Sequence, residues 1–241
     1  NKAYANTCTS QSSGDWHTAS RWGACGGTFP QSGDTVVIAT AHAITMSTGD
    51  ATVTALTFND AVAAANSLTI SNAHTLTVSG ATTYTATTGA AGSTLAVGDG
   101  TFTTGTLVIN DGAGQAGDMV LSVSTGTINV TGNISGTWSE AADVAFTSTG
   151  DSDMNFGGNF PSGGTLDDTS GRITFNGTGA QDVGAYTTYN NVTINKTAGT
   201  ATLLGTTTFG GTLTLTDGNL DTNTRTFTVT GASSITDTIT F

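Results

Sequence analysis

Large apolar residues stand at every second position in many short segments of this chain, and threonine or serine fills most of the gaps. Examples are Ser67-Leu-Thr-Ile, Thr75-Leu-Thr-Val, Thr212-Leu-Thr-Leu and Thr226-Phe-Thr-Val. A period of two residues is typical of a β-strand with one face buried and the other in water. Because the pattern recurs from about residue 35 to the C-terminus, it predicts a long all-β body with a hydroxyl-covered exterior.

The composition restricts the partners of such a body. Of 241 residues only 9% are charged, while 54 are threonine and 33 are glycine, and the net charge is -12. The basic residues are Lys2, Arg21, Arg172, Lys196 and Arg225. Five scattered basic residues cannot neutralise a run of phosphates. We therefore expect no nucleic-acid binding and no attraction to anionic membranes. No apolar stretch approaches the roughly 20 residues that span a bilayer, so we expect no membrane insertion.

The two cysteines, Cys8 and Cys25, lie close together near one end without a Cys-x-x-Cys motif or paired histidines. This arrangement favours a disulfide that closes a small N-terminal loop, with two buried free thiols as the alternative. A disulfide implies export, so we expect an extracellular or cell-surface protein. No signal peptide is present, and Ala3-Tyr-Ala has the small-x-small pattern of a processing site. We therefore expect the chain to begin at or near a cleavage point.

Residues 1–34 differ from the rest of the chain and are interpreted as an N-terminal cap, with residues 35–241 as the body. The segment holds both cysteines, Trp16, Trp22 and Pro30. A stack of strands needs its open end covered, because an exposed apolar face and an unpaired edge invite aggregation. We expect Trp16 and Trp22 to close the first core layer; the alternative is an exposed aromatic platform for sugar.

Short strands are predicted from residue 35 onward, separated by links rich in Gly, Asn, Asp and Ser. They cover 35–39, 43–46, 53–59, 67–71, 74–79, 83–87, 93–98, 105–110, 119–124, 126–131, 143–149, 171–176, 190–195, 201–209, 212–216 and 225–230. A parallel β-solenoid would stack two or three strands per coil, whereas a β-sandwich would pair them antiparallel. Strand shortness and scarce charge favour the single-domain solenoid. We expect coils of about 20 to 25 residues and a stack on the order of 45 Å long.

Several motifs resemble those of secreted bacterial surface proteins of the right-handed parallel β-helix type. They are Asp15-Trp, Trp22, Pro30-Gln-Ser-Gly-Asp-Thr-Val-Val-Ile, Ser67-Leu-Thr-Ile and Thr212-Leu-Thr-Leu-Thr-Asp-Gly-Asn-Leu. The resemblance implies a Trp-bearing cap that leads through a turn into the first coil, and a role as adhesin, stalk, filament or matrix subunit. Polysaccharide enzymes are less frequent in such families. The sequence stops at Phe241 in strand-like sequence without an evident cap, so we expect the last coil to pair with a neighbouring molecule.

Catalytic carboxylates are not evident. Paired acids must be held near each other beside a groove, yet Glu140 is the only glutamate and most aspartates stand in turn-like sequence. Asp167 and Asp168 are adjacent and would face opposite sides of a strand. Asp151 and Asp153 would share a face, although Gly150 indicates a turn. Arg172 is the only base near Asp167 and Asp168, and a surface contact is the expected role of that pairing.

Metal binding is also not expected. Asp217-x-Asn-x-Asp-x-Asn223 resembles the start of a calcium loop but lacks the glycine and the closing acid of an EF-hand. His17, His42 and His74 have no neighbouring Cys or His in the sequence, which disfavours zinc. No Gly-x-Ser-x-Gly elbow is present. We expect no catalytic, cofactor-binding or metal-binding residue.

The sequence therefore predicts a non-enzymatic extracellular structural protein, a stiff β-solenoid that acts as adhesin, spacer or self-assembling subunit. Self-association by strand addition is the expected partnership, with glycans or surfaces as further partners. The alternatives are a carbohydrate- or ice-binding module and a polysaccharide-degrading enzyme that depends on Asp167 or Asp168. Because Thr-x-Thr occurs on many predicted strands, we expect no single regular threonine face, and threonine's high β-propensity explains its abundance.

Overall fold

The computed structural model describes residues 5–39, 41–60, 64–86, 91–111, 119–138 and 144–241. These residues form an all-β structure whose one helical element is the 3-10 turn Ala19–Arg21. The strands are β1 Thr7–Ser10, β2 Gly14–Asp15, β3 Trp22–Gly23, β4 Thr35–Ile38, β5 Ala43–Met46, β6 Ala51–Val53, β7 Ala55–Asp60, β8 Asn66–Ile70, β9 Thr75–Ala86, β10 Ser93–Val97, β11 Thr101–Asn110, β12 Met119–Val123, β13 Thr127–Val130, β14 Ile134–Thr137, β15 Val144–Ser148, β16 Asp153–Phe156, β17 Thr165–Asp168, β18 Arg172–Phe175, β19 Gln181–Val183, β20 Thr188–Tyr189, β21 Asn191–Leu203, β22 Thr207–Phe209, β23 Leu213–Asp221, β24 Phe227–Val229, β25 Ser233–Ile235 and β26 Ile239–Thr240.

The strands wind into a parallel solenoid with three faces. Face one consists of β2, β5, β8, β10, β12, β15 and β17, continued by β20, β22 and β24. Face two consists of β6, β13, β16, β18, β25 and the first halves of β9, β11, β21 and β23; face three contains the second halves of those four long strands. Face three also contains β1, β4, β7, β14, β19 and β26. All of these pairings are parallel, and only β1 with β3 is antiparallel among the described strands. The solenoid prediction is therefore confirmed and the β-sandwich alternative is wrong.

The coils change length along the stack. Asn129 on β13 aligns with Asn155 on β16, and the hydrogen bond between them joins side chains 26 positions apart. Asp153 on β16 then aligns with Arg172 on β18, only 19 positions further on. Arg172 aligns with Asn191 at the same shorter spacing. The predicted coil length lies between these two spacings. The shorter coils need only a few residues to pass from face three to face one, as at 204–206 between β21 and β22.

Alternate residues point inward, as the sequence pattern predicts. On β9, Leu76 and Val78 are buried, while Thr75 and Thr77 remain partly exposed. From β15 to the C-terminus, aromatic rings form a continuous chain of contacts inside the core and at its end, with centroids 4.5 to 6.5 Å apart. Its members are Phe146, Phe156, Phe160, Phe175, Tyr186, Tyr189, Phe209, Phe227 and Phe241. Such contacts add to the stabilisation from apolar burial.

Glycines stack at the corner between faces two and three. A Cβ on Gly105 would lie 2.6 Å from the carbonyl oxygen of Gly80, and a Cβ on Gly132 would lie 2.7 Å from that of Gly105. Only glycine allows three successive backbones to approach this closely at a sharp bend.

The N-terminal segment contributes directly to the same stack. Cys8 on β1 is bonded to Cys25, and β1 pairs in parallel with β4. The buried Asp34 carboxylate accepts hydrogen bonds from the backbone N–H groups of Asn6 and Gln31, at 2.7 and 2.8 Å. This carboxylate thereby fixes the turn that leads into β4.

Some predicted strands differ from those of the structure. The predicted strand 201–209 is wrong, because Leu204 to Thr206 form a corner between β21 and β22. The predicted strands also omit β14, β16, β17, β19, β20, β25 and β26, all of which have four residues or fewer, although Asp153-Met-Asn-Phe of β16 alternates strictly. Residues 87 and 143, at the ends of two predicted strands, lie outside the described residues, as do residues 1–4 of the predicted cap.

Candidate functional site

Asp167 and Asp168 lie side by side on β17, and their side chains point to opposite sides of face one. Asp167 aligns with Thr147 and is exposed, whereas Asp168 aligns with the buried Ser148. The expectation that these two acids would diverge is confirmed. They do not form a carboxylate pair above a common groove.

Asp168 is the more perturbed of the two acids. Partial burial raises its pKa to about 6, although hydrogen bonds from the Asn190 N–H and the Ser148 hydroxyl favour the charged form. The Asn190 N–H donates to Oδ2 at 2.9 Å. Because Asn190 belongs to the next coil, this carboxylate ties two coils together.

Arg172 pairs with Asp153, one coil earlier on face two. Its Nη2 lies 2.9 Å from Oδ1 and 3.1 Å from Oδ2 of Asp153. The expected contact of Arg172 with Asp167 or Asp168 is wrong, because those acids stand on face one. Asp151, Asp153 and Arg172 line a shallow cavity of about 300 Å³ at the corner of faces one and two. Glu140 lies outside the described residues.

His17 and His74 meet at Asp50, a contact that the sequence did not indicate. Nε2 of His17 lies 3.2 Å from the Asp50 carbonyl oxygen, and Nδ1 of His74 lies 3.3 Å from the Asp50 carboxylate. Hydrogen bonds from the Thr75 N–H and from His74 lower the pKa of Asp50. The residues come from three successive coils, so only the register between coils could have revealed their proximity.

A metal centre is not formed by these groups. Among the described residues, only Cys8, Cys25 and Asp34 bring three possible ligand atoms together, and two of these atoms are the disulfide sulfurs. In the calcium-like segment, Oδ1 of Asp221 accepts a hydrogen bond from the Asn223 N–H at 2.7 Å. This is an Asx turn, in which the aspartate side chain bonds the backbone two residues further on.

Trp16 and Trp22 lie inside the first core layers. Trp16 is 0% exposed and Trp22 is 6% exposed; the rings meet edge to face at 5.0 Å, and the Trp22 indole N–H donates to the Trp16 carbonyl. The alternative of an exposed sugar platform is wrong for this pair of indoles.

A regular polar column runs along face two from coil to coil. It contains Thr52, Thr77, Thr103, Asn129, Asn155, Thr174, Thr193, Thr214 and Ser234. Within it, Asn155 donates to Oδ1 of Asn129 at 2.9 Å, and Asn129 donates to the Thr103 hydroxyl at 3.2 Å. Outward threonines also lie on face one, as at Thr45 and Thr69, and on face three, as at Thr35 and Thr57. The expectation that no single face would collect the Thr-x-Thr residues is therefore confirmed.

Lys196 is fully buried at the corner where β21 turns from face two to face three. Its ammonium group donates to the Gly177 carbonyl at 2.8 Å and to Oε1 of Gln181 at 3.0 Å. Burial lowers the pKa of this lysine. Nothing in the sequence pattern indicates a buried cation at this position.

A groove of about 650 Å³ opens on face three, where the coils shorten. β14 pairs with β11 on one edge, and no strand among the described residues pairs along its other edge. Trp138 follows β14 and forms part of the wall. The described residues that line it are Asn133, Ile134, Ser135, Gly136, Thr137, Trp138, Asn159, Pro161, Ser162, Asp182 and Leu204.

Comparison with known proteins adds no relative. A scan against family models, a search of curated proteins and a search of solved structures each returned no match. Within the described residues, no helix is long and apolar enough to cross a membrane.

Proposed function

We propose that this chain is a non-enzymatic extracellular structural protein, a stiff β-solenoid that serves as a surface spacer or adhesin. The observation that carries the proposal is the uninterrupted parallel ladder of face two, which runs from β6 to β25 through every coil between them. A backbone ladder of this kind resists bending, because each coil is bonded to the next along the full stack.

The side chains add further ties between coils. Oδ1 of Asn191 accepts a hydrogen bond from the Thr212 N–H at 3.0 Å. Oδ1 of Asn133 accepts one from the Asn159 N–H, and Oδ1 of Asn159 accepts one from the Asp182 N–H, both at 2.9 Å. Each bond lets one coil cap the backbone of the next. Polar residues at these corners thus support a mechanical role.

The disulfide supports the extracellular part of the proposal. Disulfides persist in oxidising compartments and are rare in the cytosol. The Cys8–Cys25 bond constrains the strand β1 that begins the stack.

Antibodies raised against the folded chain test localisation and shape together. We expect them to label the surface of intact source cells, and we expect electron microscopy of the purified protein to show rods on the order of 45 Å long. Labelling only after permeabilisation, or a shape without a long axis, would contradict the proposal.

Self-association by strand addition stays part of the proposal. Ile235 on β25 is 46% exposed, and exposed apolar edge strands promote pairing between chains. Sedimentation velocity over a range of concentrations should show growing species, and Ile235→Lys should suppress them. A monomer at every concentration would remove self-association from the proposal.

A water-ordering or ice-binding surface is the second candidate function. It is favoured by face two, where the partly exposed Thr75 and Thr77 align with Thr101 and Thr103 of the next coil. Thermal hysteresis of the wild type, abolished by Thr77→Lys on this face, would support it. No hysteresis in the wild type would exclude it.

A further inference from the structure

We propose that the groove beside β14 binds a neutral glycan, with the Trp138 indole as the apolar platform for a sugar ring. This inference goes beyond the spacer role and does not depend on it. It rests on the shape of the groove, on the chemistry of its lining and on its charge.

The groove exists because the strand that should follow β14 cannot pair with it. The Ile134 N–H donates to the Asn159 carbonyl at 3.0 Å, which places the next residues of that coil opposite Ser135 and Gly136. Pro161 stands there and has no N–H to donate, so the ladder ends. Phe160 instead bridges to Val183 in the following coil. The chain thus leaves a gap beside β14 on face three, where the following segment runs without a backbone ladder to it.

The walls of this gap are held in place before any ligand arrives. Tyr186 donates its hydroxyl to the Gly163 carbonyl at 2.5 Å, and the Ala185 N–H donates to the Ser162 hydroxyl at 2.8 Å. Gly163 lies against the Trp138 indole, since a Cβ added to it would collide with Nε1. A preorganised wall lowers the entropic cost of binding.

The lining combines one aromatic ring with many short polar groups. Trp138 packs on the core with part of its ring at the groove. Ser135 and Thr137 are exposed on one wall, and the side chains of Asn159 and Asp182 line the other. A sugar ring has an apolar C–H face and a rim of hydroxyls, so it matches an indole flanked by amide, hydroxyl and carboxylate groups. The volume lies within the range of roughly 300 to 1,000 Å³ that small-molecule sites occupy.

The charge of the site selects a neutral ligand. Among the described residues of the lining, Asp182 is the only charged one, and the whole chain carries a net charge of -12. Sulfated or uronic-acid glycans would be repelled by both. Carboxylates accept hydrogen bonds from neutral sugar hydroxyls, so Asp182 favours an uncharged, hydroxyl-rich ligand.

An extended peptide fits the groove less well. Strand addition requires a regular open edge and pockets for alternate side chains. The exposed part of β14 is only Ser135–Thr137, and Gly136 interrupts it with a φ of 144°. Binding of an extended peptide is therefore an alternative that the experiment below distinguishes from binding of a glycan.

Calorimetric titration of the soluble protein with cellotetraose, chitotetraose and maltotetraose tests the proposal. We expect at least one of these probes to bind and to change the tryptophan emission, because Trp138 is the one indole that is not buried. Trp138→Ala should weaken that binding by roughly tenfold or more. Since Trp138 also packs on the core, the melting temperature of this variant must be measured.

Ser135→Arg is a second variant that blocks the groove from an exposed position. We expect it to remove binding without changing the melting temperature, whereas the matched control Ser124→Arg, exposed just after β12 of face one, should bind as the wild type does. The proposal is overturned if no tetrasaccharide binds at about 10 mM, if both groove variants bind normally, or if only sulfated tetrasaccharides bind. Groove-dependent binding of peptides without glycans would assign the site to an extended peptide instead.

Discussion

The Lys196 ammonium group donates a hydrogen bond to Oε1 of Gln181 at 3.0 Å inside the solenoid. The bond joins two neighbouring coils and pairs a buried donor with a buried acceptor. Gln181 also donates its amide to the carbonyls of Phe156 and Gly158, at 2.7 and 2.6 Å. A buried cation is thus stabilised by neutral oxygens alone, among the partners that the described residues provide.

Gln181→Leu should be more damaging than Lys196→Met. The first change leaves a buried charge with fewer acceptors and two carbonyls without their donor, which costs about 3 to 5 kcal/mol. The second leaves only neutral acceptors unpaired, at about 1 to 3 kcal/mol. Urea unfolding of both single variants and of the double variant measures the coupling. Strictly additive losses would show that the two side chains do not stabilise each other.

Asp168→Asn should stabilise the protein at neutral pH. Because the folded-state pKa of Asp168 is raised to about 6 from 3.8, the folded state binds the extra proton between these values. Stability from this group is therefore fully present below pH 3.8 and is lost as the pH rises to about 6. After allowance for solvent screening, the loss is about 1 to 2 kcal/mol.

The matched control for that change is Asp167→Asn, which removes the same charge from the exposed neighbouring position. Unfolding free energies measured from acidic to neutral pH should show a much flatter profile for Asp168→Asn than for Asp167→Asn, because the Asp167 charge is the smallest cause of the raised pKa of Asp168. Equal profiles for both variants would attribute the pH dependence to net charge and not to the burial of Asp168.

Removing the disulfide should destabilise the start of the stack. The bond closes a loop with a separation of 17 residues, and loops of this size contribute about 3 kcal/mol. The double variant Cys8→Ala/Cys25→Ala should lose this amount in chemical unfolding and should no longer respond to reductant. Wild-type protein that is equally stable with and without reductant would contradict the prediction.

Phe160→Ala should be among the costliest core substitutions. The ring lies between 4.5 and 6.3 Å from those of Phe146, Phe156, Phe175 and Tyr186. Truncation leaves a cavity where the coils shorten, at a cost of about 3 to 5 kcal/mol. Phe160→Leu, which keeps most of the volume, should cost less than about 1.5 kcal/mol. Thermal unfolding of both variants measures the difference in stability between them. Similar melting temperatures would indicate that the aromatic core around residue 160 repacks freely.

The alternation of residues was enough to predict the class of fold. Leu76 and Val78 are buried and their threonine neighbours face outward, because the period of a strand depends only on local geometry. The corners were harder to predict. The segment 201–209 is predicted as a single strand, yet Leu203-Leu-Gly interrupts its alternation and residues 204–206 turn the chain from one face to the next.

The candidate sites could not be predicted, because they depend on which residues align between coils. His74 meets Asp50 and Pro161 comes opposite Ser135 only through that register. The coils shorten after β16 without an obvious sequence signal. Trp138 did offer a clue, as the single tryptophan outside the N-terminal segment.

The regular advance from Asp153 to Arg172 and from Arg172 to Asn191 has a consequence for how such a chain can evolve. Duplication of one such unit would add one coil, and every side chain would keep its inward or outward orientation. Insertion of a single residue within a strand would instead turn the buried side chains of that strand outward and its exposed side chains inward. The C-terminal half can therefore lengthen by duplication in whole steps of about 4.8 Å, one strand spacing for each added coil.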